Sequence, residues 1–488
     1  MAGIEDIRAE RIGKLDKLKK ARINPYPGDA SCEYTISEIQ KKFDSLFSKG
    51  KSLTLSGRLM AIREHGGSIF GDLYDGSGSI QIYLKKDGVS EESFSLFIET
   101  TDIGDFCECT GELFLTKKGE RSLKVSKWRM LAKSLRPLPD KWHGLTDPEE
   151  RFRKRYLDIV MSHEVRERFE IRSKIITCVR EFLNEKSFLE VETPMLQPVP
   201  GGATAKPFKT HHNALDINLY LRVAPELYLK ELLIAGFTKI FELGRSFRNE
   251  GIDITHNPEF TIIEAYSAYS SPKEEMKLIE DLFSFVVKKV IGKDSVEYSE
   301  VSIDFSKAFR RVTFTEVMKK FALISSHDFS NKEELAKKAA QYNIRVENFD
   351  GPEKILDNIY KKVVRPKLIE PTFVFDYPVQ FSPLAKKKEG SDDFIDRFQL
   401  IVGGIELVNG FSELNDPLEQ RERFAEQEKK RKEGDDEAQI KDDDYIEAME
   451  YGMPPACGWG IGIDRLVMLL TNTKNIREVI IFPTLRPK

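Results

Sequence analysis

No G-x-x-x-x-G-K-[ST] segment occurs anywhere in the chain, which excludes the glycine-rich loop that most often cradles nucleotide phosphates. Cysteine is scarce. Cys32, Cys107, Cys109, Cys178 and Cys457 are scattered, so neither a disulfide framework nor a paired zinc site is expected. Cys107-Glu108-Cys109 is half of a metal motif without its second half, and it reads instead as two same-face residues of a strand. Scarce thiols fit a reduced, cytoplasmic setting. Long apolar runs are missing as well: no stretch of about eighteen such residues occurs. The start, Met1-Ala2-Gly3-Ile4-Glu5-Asp6, lacks the basic-then-apolar pattern of a secretory leader. No membrane association is expected. A strong charge of one sign is also absent, since 76 Lys+Arg against 80 Asp+Glu leave −4. Any basic surface for nucleic acid must therefore be local.

What is present is length and a globular balance. A chain of 488 residues is too long for one ordinary core, and two or three domains are expected. Hydrophobic content of 40% with 32% charged residues describes a soluble globular protein. Residues 1–24 hold seven Lys/Arg (Arg8, Arg11, Lys14, Lys17, Lys19, Lys20, Arg22) against four acids. Ile4, Ile7, Ile12, Leu15 and Leu18 recur at roughly helical spacing, so residues 1–50 read as a basic helical extension. On charge alone the favoured reading is a solvated helix packed on its own domain.

Residues 51–134 read as short strands, at 53–60, 69–74, 79–84, 106–114 and 121–128. Asp75-Gly76-Ser77-Gly78 and Lys117-Lys118-Gly119-Glu120 mark turns between them. Five strands with a partly helical piece at 88–104 match an OB-type barrel. Such barrels bind single-stranded nucleic acid with stacking aromatics and basic groups. Arg58, Arg63, Phe70 and Gln81 are the candidates, although Phe70 is equally readable as core. Residues 135–144 are a stiff linker opening on Leu135-Arg136-Pro137-Leu138-Pro139.

From 145 to 488 a larger domain is expected. A helix over 164–186 leads into a strand at 188–193 closed by Pro194. Further strands are expected at 219–223, 239–243, 259–269, 372–376, 399–408 and 478–482. A helical insertion at about 300–370 interrupts them, and 417–450 reads as exposed helices. Strands in runs with few βαβ alternations indicate an α+β domain with an antiparallel sheet flanked by helices.

Two arginine-bearing segments stand out about two hundred residues apart. One runs Phe247-Arg248-Asn249-Glu250-Gly251-Ile252-Asp253-Ile254-Thr255-His256-Asn257-Pro258-Glu259-Phe260, the other Gly458-Trp459-Gly460-Ile461-Gly462-Ile463-Asp464-Arg465. Each sets an arginine beside apolar or aromatic residues, as an ATP site without a glycine-rich loop requires. With the helix and strand ending at Pro194, they resemble the three motifs of class II aminoacyl-tRNA synthetases. Pro200-Gly201-Gly202-Ala203, Arg222-Val223-Ala224-Pro225-Glu226-Leu227-Tyr228-Leu229-Lys230 and Asn409-Gly410-Phe411-Ser412-Glu413-Leu414-Asn415-Asp416 narrow the resemblance to the lysyl-tRNA synthetase family.

That resemblance implies a homodimer, an anticodon-binding barrel, and three substrates: ATP, L-lysine and lysine tRNA. It places Arg248 on the α-phosphate and the amino-acid carboxylate. Phe260 and Arg465 would lie on the two faces of adenine, with Glu250 at its amino group and His256 and Asn257 by the phosphates. Glu226 would hold the α-amino group, with Gly202 giving backbone access and Asn409 in support. Glu264 and Glu413, with Tyr266, would take the ε-ammonium, and Phe411 its aliphatic stem. Mg²⁺ would be held by Gln399, Glu406 and Glu413, where Gln399 replaces a glutamate common in the family and brings no charge. Arg58, Arg63, Phe70 and Gln81 become anticodon contacts, and the basic helix an added phosphate contact. Three rivals remain. An aspartyl- or asparaginyl-tRNA synthetase would need basic residues at Glu264 and Glu413. A non-catalytic RNA-binding relative would have lost Arg248, Glu250 or Arg465. A lysine ligase acting on a protein would lack the barrel.

Overall fold

The structure, a computed structural model, describes residues 3–139, 145–347, 350–434 and 438–487. The chain divides into two compact units, Met1–Leu145 and Thr146–Lys488. Of the linker expected at 135–144, residues 140–144 lie outside the described residues.

In the first unit, α1 (Ile4–Lys20) and α2 (Ile36–Phe47) precede β1 (Leu53–His65), β2 (Ser68–Tyr74) and β3 (Ser79–Lys85). Then α3 (Glu91–Thr100) leads to β4 (Phe106–Leu115) and β5 (Arg121–Ala132). The strands close a barrel in the order β1-β2-β3-β5-β4. Strict alternation drives the closure: β1 buries Leu53, Leu55, Gly57 and Leu59 and turns the residues between them outward. Asp75 pins the β2–β3 turn by accepting from the Ser77 and Gly78 amides at 2.8 and 3.0 Å. The basic helix is spent largely on its own unit. Arg11 is buried and donates to the carbonyls of Ile103, Ser134 and Arg136, while Lys14 pairs with Asp102 at 2.8 Å and Lys17 with Glu99 at 2.9 Å. Of these three only Arg11 is enclosed; Lys17 stays largely open to solvent. The helix α2 lies within the helical extension expected over 1–50, started by a capping box of Thr35 and Glu38 and burying Ile36, Ile39, Phe43 and Leu46.

The second unit opens with α4 (Pro148–Arg153), α5 (Arg155–Met161) and α6 (His163–Glu185), then β6 (Leu189–Glu190), β7 (Leu196–Gln197), β8 (Lys209–His212) and β9 (Ile217–Leu221). Next come α7 (Glu226–Ile234), β10 (Lys239–Phe247), β11 (Glu259–Ala268) and α8 (Pro272–Ile291). The insertion carries β12 (Ser295–Tyr298), β13 (Val301–Asp304), β14 (Arg310–Thr313), α9 (Phe314–Val317), α10 (Lys332–Gln341) and α11 (Pro352–Ile359). The chain ends with β15 (Thr372–Pro378), β16 (Phe394–Val402), β17 (Ile405–Ser412), α12 (Pro417–Lys432), α13 (Asp443–Glu450), β18 (Ala456–Gly462) and α14 (Ile463–Leu470).

Eight strands form one sheet, in the order β14-β15-β16-β17-β18-β11-β10-β6. Its central pairs are antiparallel, and the pairs at the two edges, β14–β15 and β10–β6, are parallel. One face packs on α6, α8 and α14 through Phe182, Phe283, Leu466 and Met468. The other face packs on α7 and the later helices through Leu229, Phe314, Ile359 and Tyr445. Because β11 alternates, Ile263 and Ala265 enter the first core while Tyr266 enters the second.

Several expected boundaries move. The strand expected at 399–408 is two strands turned at Gly403 and Gly404, both at positive φ. No strand forms at 478–482: Ile476–Glu478 is a 3-10 turn that drops Val479 and Ile480 into the core. The strand expected at 188–193 shrinks to Leu189–Glu190. The region 300–370 contributes β13 and β14 as well as helices. Nor are the helices of 417–450 wholly exposed, since Phe424, Tyr445, Ile446 and Met449 are buried.

Candidate active site

On the sheet face covered by α7, four ionisable groups meet away from water. Glu226 begins α7, and Lys230 follows one turn later on the same side. Lys230 Nζ lies 2.6 Å from Glu226 Oε1 and 2.6 Å from Glu413 Oε2, beyond the end of β17. Glu264 comes from β11, and Tyr266 two residues on donates its hydroxyl to Glu264 Oε2 at 3.0 Å. Glu226, Glu264, Glu413, Tyr266 and Lys230 are all buried, and Phe411 forms a wall 5.4 Å from Lys230 Nζ. Glu413 Oε1 has no hydrogen-bond partner.

Two glycines make the space. A Cβ at Gly458 would collide with Glu413 and with the Tyr266 ring, and one at Gly202, where φ is +86°, would lie 2.7 Å from Glu226 Cβ. Asn409 accepts at its Oδ1 from Arg397 Nε at 2.8 Å. Burial, reinforced by the Glu226 charge, pushes the Glu264 carboxyl up to about 8. Burial does the same for Glu413, to about 8, against the pull of Lys230. Burial would lower the Lys230 ammonium, but Glu226 and Glu413 outweigh it and raise it.

Next to this hollow the charge reverses. Arg248 is half-buried, its guanidinium 5.1 Å from the Phe260 ring, and its Nε is enclosed without a hydrogen-bond partner. Burial lowers its pKa, which leaves it cationic. Glu250 is exposed and close enough to act on the Arg248 charge. Arg465 donates to the Glu406 carbonyl at 3.3 Å and meets His256 Nε2 at 3.3 Å. His256 Nδ1 faces Asp253 at 2.9 Å. Although burial is the largest influence on Asp253, the Thr255 amide and His256 hold its carboxyl down at about 2. Asn257 is buried and committed to the loop: Nδ2 donates to the Glu259 carbonyl at 2.6 Å and Oδ1 accepts from the Thr484 amide at 3.4 Å. Asp464 ties the elements together, taking Arg172 of α6 at 2.6 Å and the Thr261 amide of β11 at 2.8 Å.

Residues 147–486 match the family described as tRNA synthetases class II (D, K and N), and residues 53–131 match the OB-fold nucleic acid binding domain. A lysine–tRNA ligase of Carboxydothermus hydrogenoformans is 47% identical over 478 residues, covering 98% of this chain and 97% of that protein. One from Moorella thermoacetica is 46% identical over 483 residues, covering 99% and 98%. The chain belongs to the class II tRNA synthetases.

In this synthetase the expected metal ligands each have a different partner. Gln399 is buried and accepts at its Oε1 from Tyr377 at 2.8 Å, Glu413 faces Lys230, and Glu406 pairs with Arg365 at 3.3 Å. Burial would raise the Glu406 carboxyl, but Arg465, Arg365 and Arg397 together hold it below the usual range. These neighbouring cations oppose a resident dication. Among the described residues no three or more His, Cys, Asp or Glu side chains are grouped to hold a metal ion. Gln399, Glu406 and Glu413 therefore do not fit a Mg²⁺ site made by the protein alone. No helix among the described residues is long and apolar enough to cross a membrane.

On the barrel, Phe70 is half-buried and begins an aromatic row, 4.9 Å from Tyr83, which lies 5.5 Å from Phe114. Arg63 forms two hydrogen bonds to Asp72 at 2.8 and 3.1 Å and sits 3.5 Å from Gln81 Oε1. Gln81 Nε2 donates to Ser122 at 2.8 Å. Arg58 packs on the Phe106 ring at 4.3 Å. Tyr83, Phe114 and Phe106 went unnoticed in the sequence, where alternation alone places them on the same outer face as Phe70.

The two raised carboxyls make a stability prediction. Below the ordinary carboxyl range both are protonated, folded or unfolded. As pH rises to about 8 the unfolded chain ionises them freely while the folded chain resists. The folded state then holds more protons, so stability falls across that interval. Thermal melts from pH 5 to 8 should fall more steeply for the parent chain than for Glu264→Gln; parallel slopes would contradict the buried-acid description.

Proposed function

We propose that this synthetase joins L-lysine to ATP, expels pyrophosphate, and passes the lysyl group from the adenylate to the 3′-terminal adenosine of lysine tRNA. The observation that carries this reading is the charge of the hollow. Three carboxylates (Glu226, Glu264, Glu413) face two cations (Lys230, Arg248), a balance of one negative charge when all are ionised. L-lysine, with two ammonium groups and one carboxylate, supplies the missing positive charge. Aspartate and asparagine do not. A neutral side chain would leave buried acids unpaired, a loss of roughly several kcal/mol.

Glu226 takes the α-amino group, and Glu264 and Glu413 the ε-ammonium, with the Tyr266 hydroxyl fixing Glu264. Phe411 flanks the aliphatic stem, Gly202 lets the backbone approach, and Asn409, held by Arg397, supports that end. Arg248 then has two tasks. Its guanidinium draws the lysine carboxylate against the α-phosphate, where two anions must meet, and stabilises the charge that builds as the carboxylate oxygen bonds to phosphorus and pyrophosphate departs. Its unpartnered Nε marks a donor with capacity to spare. Phe260 and Arg465 bracket the adenine ring, a cation–π arrangement, with Glu250 at the amino group. His256 lies by the phosphates, aligned by Asp253. Asn257 serves by holding the loop, since its amide is committed to Glu259 and Thr484. A Mg²⁺ ion would have to come with the ATP phosphates, and the arginines supply the protein's own charge stabilisation.

The barrel reads the anticodon on Phe70, Tyr83 and Phe114, where uridine-rich bases can stack. Gln81, Arg63 and Arg58 lie at the same face. The chain acts as a homodimer joined beside β6, where Leu189, Met195 and Leu196 are 49%, 46% and 47% exposed; water-facing apolar groups on a sheet edge favour a second copy.

Amino-acid-dependent ATP–pyrophosphate exchange tests the chemistry without tRNA. Lysine alone among the twenty amino acids should support it, and Arg248→Ala should lower it by about 100-fold or more. Exchange driven by aspartate or asparagine would move the assignment to a sister specificity. For the barrel, Phe70→Ala and Tyr83→Ala should weaken tRNA charging while leaving exchange unchanged; equal loss of both activities would make these rings part of the fold instead.

A further inference from the structure

Lys230 has no substrate contact in the scheme above, yet it is wholly enclosed, with 0% of its side chain exposed. It bridges Glu226 and Glu413 at 2.6 Å each, and the Phe411 ring covers it. Tyr445 of α13 lies close enough to feel its charge. Burying an ammonium is costly, and a lysine serving only the fold of α7 would be better off at the surface. Its two carboxylates are also the two that bind opposite ends of the amino acid, provided the lysine reading holds. Each spends one oxygen on Lys230, and Glu413 Oε1 is left with no partner.

We infer that Lys230 is a positioning residue for amino-acid selectivity: its ammonium fixes Glu226 and Glu413 relative to each other and, once the acids are ionised around the bound amino acid, leaves the hollow one positive charge short of balance. A zwitterionic amino acid with one extra positive charge then fits. Without Lys230 the deficit becomes two, which suits a dication such as lysinamide better than lysine.

The test is steady-state ATP–pyrophosphate exchange by Lys230→Met, with lysinamide as a competitive inhibitor. The KM for lysine should rise on the order of 100-fold, because breaking a buried pair strands its acids. The KM for ATP should change by less than about threefold, and inhibition by lysinamide should weaken about tenfold less than lysine does, following the charge deficit. An unchanged KM for lysine, or equal losses for lysine and lysinamide, would overturn the inference. Should Lys230→Met fail to fold, Lys230→Arg keeps the charge and changes its shape. A KM for lysine raised about tenfold or more, with the lysine-to-lysinamide ratio kept, supports the positioning role; an unchanged KM overturns it. A parent chain that exchanges with lysine while the variants keep its KM sinks this inference alone. A parent chain that ignores lysine sinks the reading beneath it.

Discussion

Three carboxylates are held out of water, two of them against a single lysine ammonium, and much of the second unit is the means of holding them there. Buried acids repel one another and resist ionisation, as the raised pKa values of Glu264 and Glu413 record. Such an arrangement survives only where the surroundings over-determine it. Here the acids come from three separately anchored places: the first turn of α7, the middle of β11, and the chain just beyond β17. The sheet supplies rigidity, and Gly458 supplies the room in which Glu413 and Tyr266 sit.

Other buried ion pairs lock those pieces in register. Arg222 pairs with Glu242 in a fully enclosed contact, and Glu242 also accepts from Thr193 at 2.6 Å. The residue before Pro194 is thereby tied to the start of α7 and to β10, whose Glu242 is the cross-strand neighbour of Glu264. Asp464 joins α6, β11 and α14 through Arg172 and Thr261. Arg465, the next residue of α14, is therefore carried on the same framework as the carboxylate hollow. One set of contacts thus holds Arg465 and the buried acids in fixed relation, as a reaction that must bring two anionic ends together requires.

Much of this was legible in the sequence, for identifiable reasons. Alternation in the barrel strands and the Asp75 turn mark the first unit, and the two arginine segments mark Arg248 and Arg465. Glu226, Glu264 and Glu413 were singled out before any geometry, and the structure gathers them. Lys230 was not, although it was quoted within the segment that contains Glu226. A lysine in an apolar helix reads as a solvated edge, and only the fold shows that Glu413, far away in sequence, comes to meet it. The hydrogen bond from Tyr377 to Gln399 was out of reach for a similar reason: Tyr377 lies on the neighbouring strand, beyond any local pattern. The strand expected at 478–482 failed because an apolar run of that length serves equally well as a turn dropped into a core. Val479 and Ile480 do that.

Burial keeps protons on Glu264 and Glu413 in the ligand-free chain. Calorimetric titration of lysine into the ligand-free chain at pH 7, repeated in buffers of different ionisation enthalpy, reads this directly. Carboxyls poised near pH 8 are protonated before lysine binds and ionised after it. Net proton release is therefore predicted, diminished in Glu264→Gln and in Glu413→Gln. Lysine binding with no buffer dependence in the parent chain would contradict the claim that buried acids select the substrate by its charge.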